Sequence, residues 1–252
     1  MTRAGHSASW AIPPQRGGHL ILNGVNSYTG TTWVHSGRLE VNGNIASSSG
    51  VRLGASSVLS GHGITSTISG SGSIEPGIGT GILTATAIDA SGGLDFAFEF
   101  TLLGPPDYAN AAASGNDLLH LTGFTPFTEP LTANNEVGIF LNIPAIAPSD
   151  VFLGGFFTDR NEAFLGQIQA ATFLFYIADE SGSVHYGGTP YSLYDGPLTF
   201  RINTVSNFAN FAGGGVNGWI MTITAVPEPP ECAAGFVLLL LVAVWCLRPL
   251  RA

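Results

Sequence analysis

A short strand-like pentad recurs near the start of the chain at a spacing close to 20 residues, and that period constrains the fold more than any other feature. Leu20-Ile21-Leu22-Asn23-Gly24 returns as Leu39-Glu40-Val41-Asn42-Gly43 and, more loosely, as Ser57-Val58-Leu59-Ser60-Gly61. The closing glycines, Gly24, Gly43 and Gly61, are 19 and then 18 residues apart. Each copy alternates in polarity and ends in Asn-Gly or Ser-Gly, where a positive φ costs little. Turn-rich pieces such as Tyr28-Thr29-Gly30-Thr31-Thr32 and Ser47-Ser48-Ser49-Gly50 lie between the copies. A unit this small cannot bury its own apolar side and must stack on its neighbours. With two or three short strands per repeat and almost no charge, the pattern predicts a parallel β-helix whose inward apolar positions form a continuous column. A meander of antiparallel hairpins would use the same strands and turns and is the competing fold.

Over nearly its whole length, 17–88 resembles the autotransporter-associated β-strand repeat of bacterial surface proteins. The residues that carry the resemblance are Leu20–Gly24, Asn26–Thr32, Gly37–Gly43, Gly61-His62-Gly63-Ile64, Gly70–Gly77 and Gly81-Ile82-Leu83-Thr84. The resemblance implies a right-handed β-helix displayed outside the cell. It departs from the family at the other end, where no β-barrel follows, so export through the chain's own pore is not expected.

Residues 89–226 are expected to form a further β-rich unit. Leu94–Leu102 alternates without error, with Leu94, Phe96, Phe98, Phe100 and Leu102 on one face and Asp95, Ala97, Glu99 and Thr101 on the other. That is a half-buried strand. Further strands are predicted at Asp117–Thr122, Val137–Ile143, Val151–Phe157, Ala171–Ile177, Leu198–Val205 and Trp219–Ala225, with helical periodicity only at Glu162–Ala170. The region reads either as an antiparallel sandwich or as a wider β-helix end that caps the solenoid.

The C-terminal stretch has three parts: a Val226–Glu231 spacer rich in proline, an apolar run Cys232–Leu247, and a basic end, Arg248–Ala252. Proline fixes φ and removes a donor, so no strand or helix is expected through the spacer. As a helix, the apolar run would span about 24 Å, short of the ~30 Å hydrocarbon core of a bilayer. Glutamates before it and arginines after it place the C-terminus in the cytoplasm. Pro227-Glu228-Pro229, one transmembrane helix over 232–247 and the basic residues Arg248 and Arg251 together resemble the PEP-CTERM sorting signal of exported bacterial proteins. The resemblance implies an exosortase-type membrane protease-transpeptidase as partner, cutting near the motif so that the tail is lost, as in a GPI signal. At the other end, residues 1–16 read as an irregular start. Met1–Gln15 lacks the charged and apolar regions of a signal peptide, so the true start is expected upstream or the chain is a fragment.

Charge narrows the function. The net charge is −9, all eight basic residues are arginine, and the tail's Glu228, Glu231, Arg248 and Arg251 cancel, which leaves the whole −9 on residues 1–227. An acidic body with scattered arginines has no phosphate-binding face, so nucleic acid is not an expected partner. Cys232 and Cys246 are the only cysteines and would lie about 21 Å apart along a helix, too far to bridge.

No catalytic, cofactor or metal site is expected. Common glycoside cleavage needs two carboxylates on one groove, and 17–88 holds only Glu40 and Glu75, the latter assigned to a Glu-Pro-Gly turn. Arg38 and Glu40 share a strand face but are as easily a surface ion pair as a functional one. The histidines (His6, His19, His35, His62, His120, His185) form no ligand spacing. Gly77-Ile78-Gly79-Thr80-Gly81 has β patterns on both sides and no helix to make a phosphate loop. Asp107, Asn110, Asn116 and Asp117 have side chains suited to Ca²⁺ but are expected in solvated loop. Tyr28, Trp33, Tyr186, Tyr191 and Tyr194 either stack on sugars or complete a core. The expected function is an exported, non-catalytic surface or extracellular-matrix protein of the biofilm, membrane-inserted and then displayed, associated with exopolysaccharide. A glycan-binding adhesin is the alternative; acidic pairs lining one solenoid face would instead indicate a polysaccharide-degrading enzyme.

Overall fold

In a computed structural model of the chain, the described residues are 17–104, 106–142, 151–158, 164–168, 170–178, 184–187, 198–205 and 219–227. They are mostly β-strand, and most strand pairs are parallel. The chain visits three ladders in a recurring order. The first ladder is formed by β1 (His19–Leu22), the end of β2 (Thr32–Val41), the end of β3 (Val51–Gly61), β5 (Ser73–Pro76), β8 (Asp95–Phe100), β10 (Glu136–Leu141) and β12 (Thr172–Ala178). Its register runs Leu20↔Leu39↔Leu59↔Ile74↔Phe96↔Val137↔Phe173. The predicted stacking of Leu20–Leu22 on Leu39–Val41 is therefore parallel and in register.

The starts of β2 and β3, with β4 (Ile68–Gly70) and β7 (Ile88–Asp89), make the second ladder, which a bridge from Ile88 extends to Phe127. A third begins as single bridges, Val25↔Asn44↔Ile64↔Thr84, and continues as β6 (Ile82–Ala85), β9 (Leu118–Leu121) and β11 (Val151–Thr158). Strands β2 and β3 serve two ladders each. Their register shifts between Val34 and Ser36, where β3 carries one extra residue, and such a bulge bends a strand around a corner.

One core runs between the ladders. From Leu39 to Phe173, every residue of the first-ladder column is buried and belongs to the same cluster. Leu20 is 59% exposed because β1 is the outermost strand of its ladder. Successive column residues are 19, 20, 15, 22, 41 and 36 positions apart. As the repeat lengthens, the core changes from Leu, Val and Ile to phenylalanine, since a wider section needs larger side chains to keep packing density. Phe156 on β11 meets Phe96 and Phe98 of β8 edge-on at 4.8 and 5.0 Å, and Phe127 at 5.5 Å.

Several expectations change. The third glycine of the column is Gly63, not Gly61: a Cβ on Gly43 would strike the carbonyl of Gly24, and a Cβ on Gly63 that of Gly43. Gly61 lies over Val41 instead and holds φ at +104°. Residues 89–178 are not an antiparallel sandwich, because β8, β10 and β12 extend the first ladder in parallel and β9 and β11 the third. Among the described strands, antiparallel pairing is confined to β13 (Val184–Gly187) on β12, and to β14 (Leu198–Val205) with β15 (Trp219–Pro227) beside β11, with single antiparallel bridges at Gly61–Gly77 and Phe100–Asn116. The helix expected over Glu162–Ala170 is described only as α1, Phe164–Ile168.

The spacer expectation also fails at its first two residues. Val226 and Pro227 belong to β15 and pair with Thr199 and Leu198. Among the described residues, pairing of β15 with β11 stops at Thr224, and Pro227 is the last residue of its strand, a position where proline is tolerated. Among the described residues no helix is long and apolar enough to cross a membrane. Glu228, Pro229, the run 232–247, Arg248 and Arg251 lie outside the described residues, as do 1–16, Tyr191 and Tyr194.

Candidate functional site

The outward face of the first ladder carries a cleft of about 730 Å³. It starts from the alternation of β8: with Phe96, Phe98 and Phe100 committed to the core, Asp95, Ala97 and Glu99 must point out. Parallel register then sets their neighbours. Ala97 lies beside Gly138 of β10, and these two small residues leave the floor open. Glu99 lies beside Phe140, and Phe140 beside Tyr176 of β12. The Phe140 and Tyr176 rings stack nearly parallel, 7° apart in plane and 4.5 Å between centroids, close to the spacing of adjacent strands. Gly138 makes this possible, because a Cβ there would crowd the edge of the Phe140 ring at 3.1 Å.

The opposite wall is polar. Arg38 donates to Glu75 Oε2 at 2.6 Å, with both side chains largely buried. Glu75 is thus in strand β5 rather than a turn, and Arg38 pairs with it rather than with Glu40. Glu40 is itself buried, with one oxygen 2.8 Å from His19 Nε2 and the other accepting from Asn42 Nδ2 at 2.6 Å. Pro76, Gly77, Ile78 and Gly79 form the lip, and positive φ at Gly77 and Gly79 gives the loop its tight shape. This is the Gly77–Gly81 stretch that the sequence excluded as a phosphate loop.

Asp117 closes the back. Its carboxylate accepts from the backbone N–H of Gly81 at 2.8 Å and of Glu99 at 2.7 Å, and the side chain is buried. Burial raises its pKa well above the usual carboxylate range. The two backbone hydrogen bonds oppose that shift, and the charges of Glu99 and Glu75 add to it. Neighbouring Asn116 is also buried. It donates to the carbonyls of Leu102, Gly104 and Leu153 and accepts from the N–H groups of Thr101 and Leu102. Asn116 and Asp117 are therefore not solvated loop; their side chains replace strand pairing for backbone that would otherwise lack partners. Among the described residues no group of three or more His, Cys, Asp or Glu is placed to hold a metal ion.

Sequence reasoning named Glu75 and Arg38 but placed neither in a site, reading Glu75 as a turn residue and Arg38 beside Glu40, and it missed that Glu99, Asp117, Phe140 and Tyr176 join them. One signal was available: Phe140 falls on the polar face of a predicted strand, where an aromatic side chain has no core to enter. Trp33 and Tyr28 lie elsewhere. Trp33 is 55% exposed on the second ladder, with His35 stacked at 5.7 Å and the Arg52 guanidinium 4.8 Å from its ring.

Comparison with known proteins found no matching family model, no similar curated protein and no similar solved structure.

The cleft brings three carboxylates, Glu75, Glu99 and Asp117, to one face of the first ladder, the arrangement that would indicate a polysaccharide-degrading enzyme. Two of its three carboxylates are occupied, Glu75 by Arg38 and Asp117 by two backbone donors. That leaves Glu99, whose one side-chain hydrogen bond among the described residues is a long 3.4 Å contact from Asn142 Nδ2. Glu99 is therefore the cleft carboxylate with the most unfilled acceptor capacity.

Proposed function

We propose that this is an exported, non-catalytic bacterial surface or extracellular-matrix protein. Its body is a right-handed parallel β-helix, and residues 227–252 are a PEP-CTERM-type sorting signal read by an exosortase-type protease-transpeptidase. The observation that carries the proposal is the order Pro227-Glu228-Pro229, then an uncharged apolar run, then Arg248 and Arg251. A run this short is poorly matched to a bilayer as a permanent anchor. The parallel ladders support the solenoid, and right-handed crossovers are the rule for parallel strands. A long, charge-poor body of this kind suits display among exopolysaccharide in a biofilm. Mass spectrometry of the protein from its native host tests the sorting step. Loss of the residues beyond about the motif is expected, with retention when Glu228 or its flanking prolines are replaced by Ala. Surface protein that mostly keeps Arg248–Ala252 would leave only a plain membrane anchor.

The aromatic pair and spare carboxylate of the first-ladder cleft favour a second reading, a glycan-binding adhesin. Turnover of a polysaccharide by the purified protein, abolished by Glu99→Gln, would overturn the non-catalytic part of both.

A further inference from the structure

We propose that the first-ladder cleft binds a cationic, amino-sugar-containing polysaccharide, with Glu99 as counter-ion to the sugar ammonium and the Phe140 ring as the surface on which the unit rests. The inference deepens the adhesin reading and depends on it. It rests on the charge left over in the cleft. Arg38 and Glu75 neutralise each other at 2.6 Å, and Asp117 spends both oxygens on backbone donors. Glu99 then holds an uncompensated charge, with acceptor capacity that the Asn142 amide at 3.4 Å does not fill.

That remainder selects the ligand. A uronate or sulfated glycan would meet Glu99 with like charge, in a body already at −9. A neutral sugar's hydroxyls would hydrogen-bond Glu99 but leave its charge uncompensated. An ammonium both neutralises and hydrogen-bonds it. The neighbouring ring adds a second attraction of the same sign, because the face of an aromatic ring attracts cations. Phe140 is preorganised for this, since stacking on Tyr176 at 4.5 Å and the bare Gly138 beneath fix its plane. Register alone brings Glu99 and Phe140 side by side on neighbouring strands, and the volume of about 730 Å³ is that of a ligand site rather than a surface dimple.

Isothermal titration of the full chain with three defined probes tests it: hexameric glucosamine, hexameric N-acetylglucosamine and oligogalacturonate. Glucosamine should bind at least about tenfold tighter than the acetylated oligomer, as expected for a charge-assisted hydrogen bond. Oligogalacturonate should not bind. Glu99→Gln should remove that preference, and Phe140→Ala should weaken both amino-sugar oligomers. Glu99→Gln keeps the shape of the side chain, and Phe140→Leu keeps its bulk, so folding does not confound the pair. Equal binding of both hexamers, insensitive to Glu99→Gln but lost in Phe140→Ala, would overturn the ammonium assignment and leave the adhesin reading standing. No binding of any probe would overturn both.

Discussion

Phe156→Ala should be among the most damaging single substitutions in the body, because this ring touches all three ladders. It comes from β11 of the third ladder, packs edge-on against Phe96 and Phe98 of the first, and meets Phe127, which bridges to the second. The side chain is fully buried. Truncating a buried phenylalanine costs about 3–5 kcal/mol through lost transfer energy and the cavity left behind. Each edge-to-face contact adds roughly 0.5–1.5 kcal/mol beyond buried area, though contacts sharing one ring do not sum. A loss of about 4 kcal/mol or more is therefore expected. Urea unfolding monitored by tryptophan fluorescence can measure it, with Val25→Ala, at an 86% exposed position, as the control. The control should stay within about 0.5 kcal/mol of wild type. A Phe156→Ala loss below about 1 kcal/mol would mean that the three ladders do not enclose one core, and would refute the reasoning.

Three further outcomes follow from the same geometry. Leu39→Asp should unfold the N-terminal ladders, since it puts an unpaired charge into the buried column; circular dichroism that keeps its full β signal would count against this. Gly43→Ala should destabilise although alanine is small, because its Cβ collides with the Gly24 carbonyl in the turn below, and a lowered melting temperature is the readout. Asp117 should make stability fall as pH rises. Its folded pKa is raised by burial, so between the unfolded value near 3.9 and the higher folded value the unfolded chain ionises first, and the penalty is complete above the folded pKa. Asp117→Asn should remove that part of the pH dependence while costing about 1–3 kcal/mol, because one of the Gly81 and Glu99 N–H groups loses its acceptor. A urea-midpoint profile between pH 4 and pH 7 identical in the two proteins would contradict the assignment.

Local pattern made most strands legible. Leu94–Leu102 contains β8 because three phenylalanines alternate with polar residues, and Leu198–Val205 was bounded correctly by the Gly-Pro before it. Strand β13 was missed because four residues carry too little periodicity to stand out. The parallel continuation past residue 89 was less visible, since the repeat lengthens from 22 to 41 positions and self-similarity is lost just where the core widens. The cleft suffered most from this. Glu75 and Glu99 share the cleft only through a register of uneven repeat length, and Asp117 joins them from the third ladder's approach to β9. Burial of Asn116 and Asp117 was hidden for a related reason: their partners are backbone groups of 81, 99, 101, 102, 104 and 153, which no local pattern announces.

Parallel stacking places the core and the cleft alike, so the strand register itself gives the most direct test. Cysteine cross-linking can read it, with Cys232 and Cys246 first changed to Ser so that no native thiol remains. Trp33 pairs with Arg52 and Ser36 with Ser56, all four exposed, and adjacent strands about 4.8 Å apart suit a disulfide. Parallel strands keep a nearly constant difference between partners, 19 and 20 here, whereas an antiparallel hairpin keeps a constant sum. The pairs Trp33→Cys/Arg52→Cys and Ser36→Cys/Ser56→Cys are each expected to oxidise readily in separate proteins. Efficient closure of one pair with none of the other would mean hairpin pairing and would contradict the parallel solenoid.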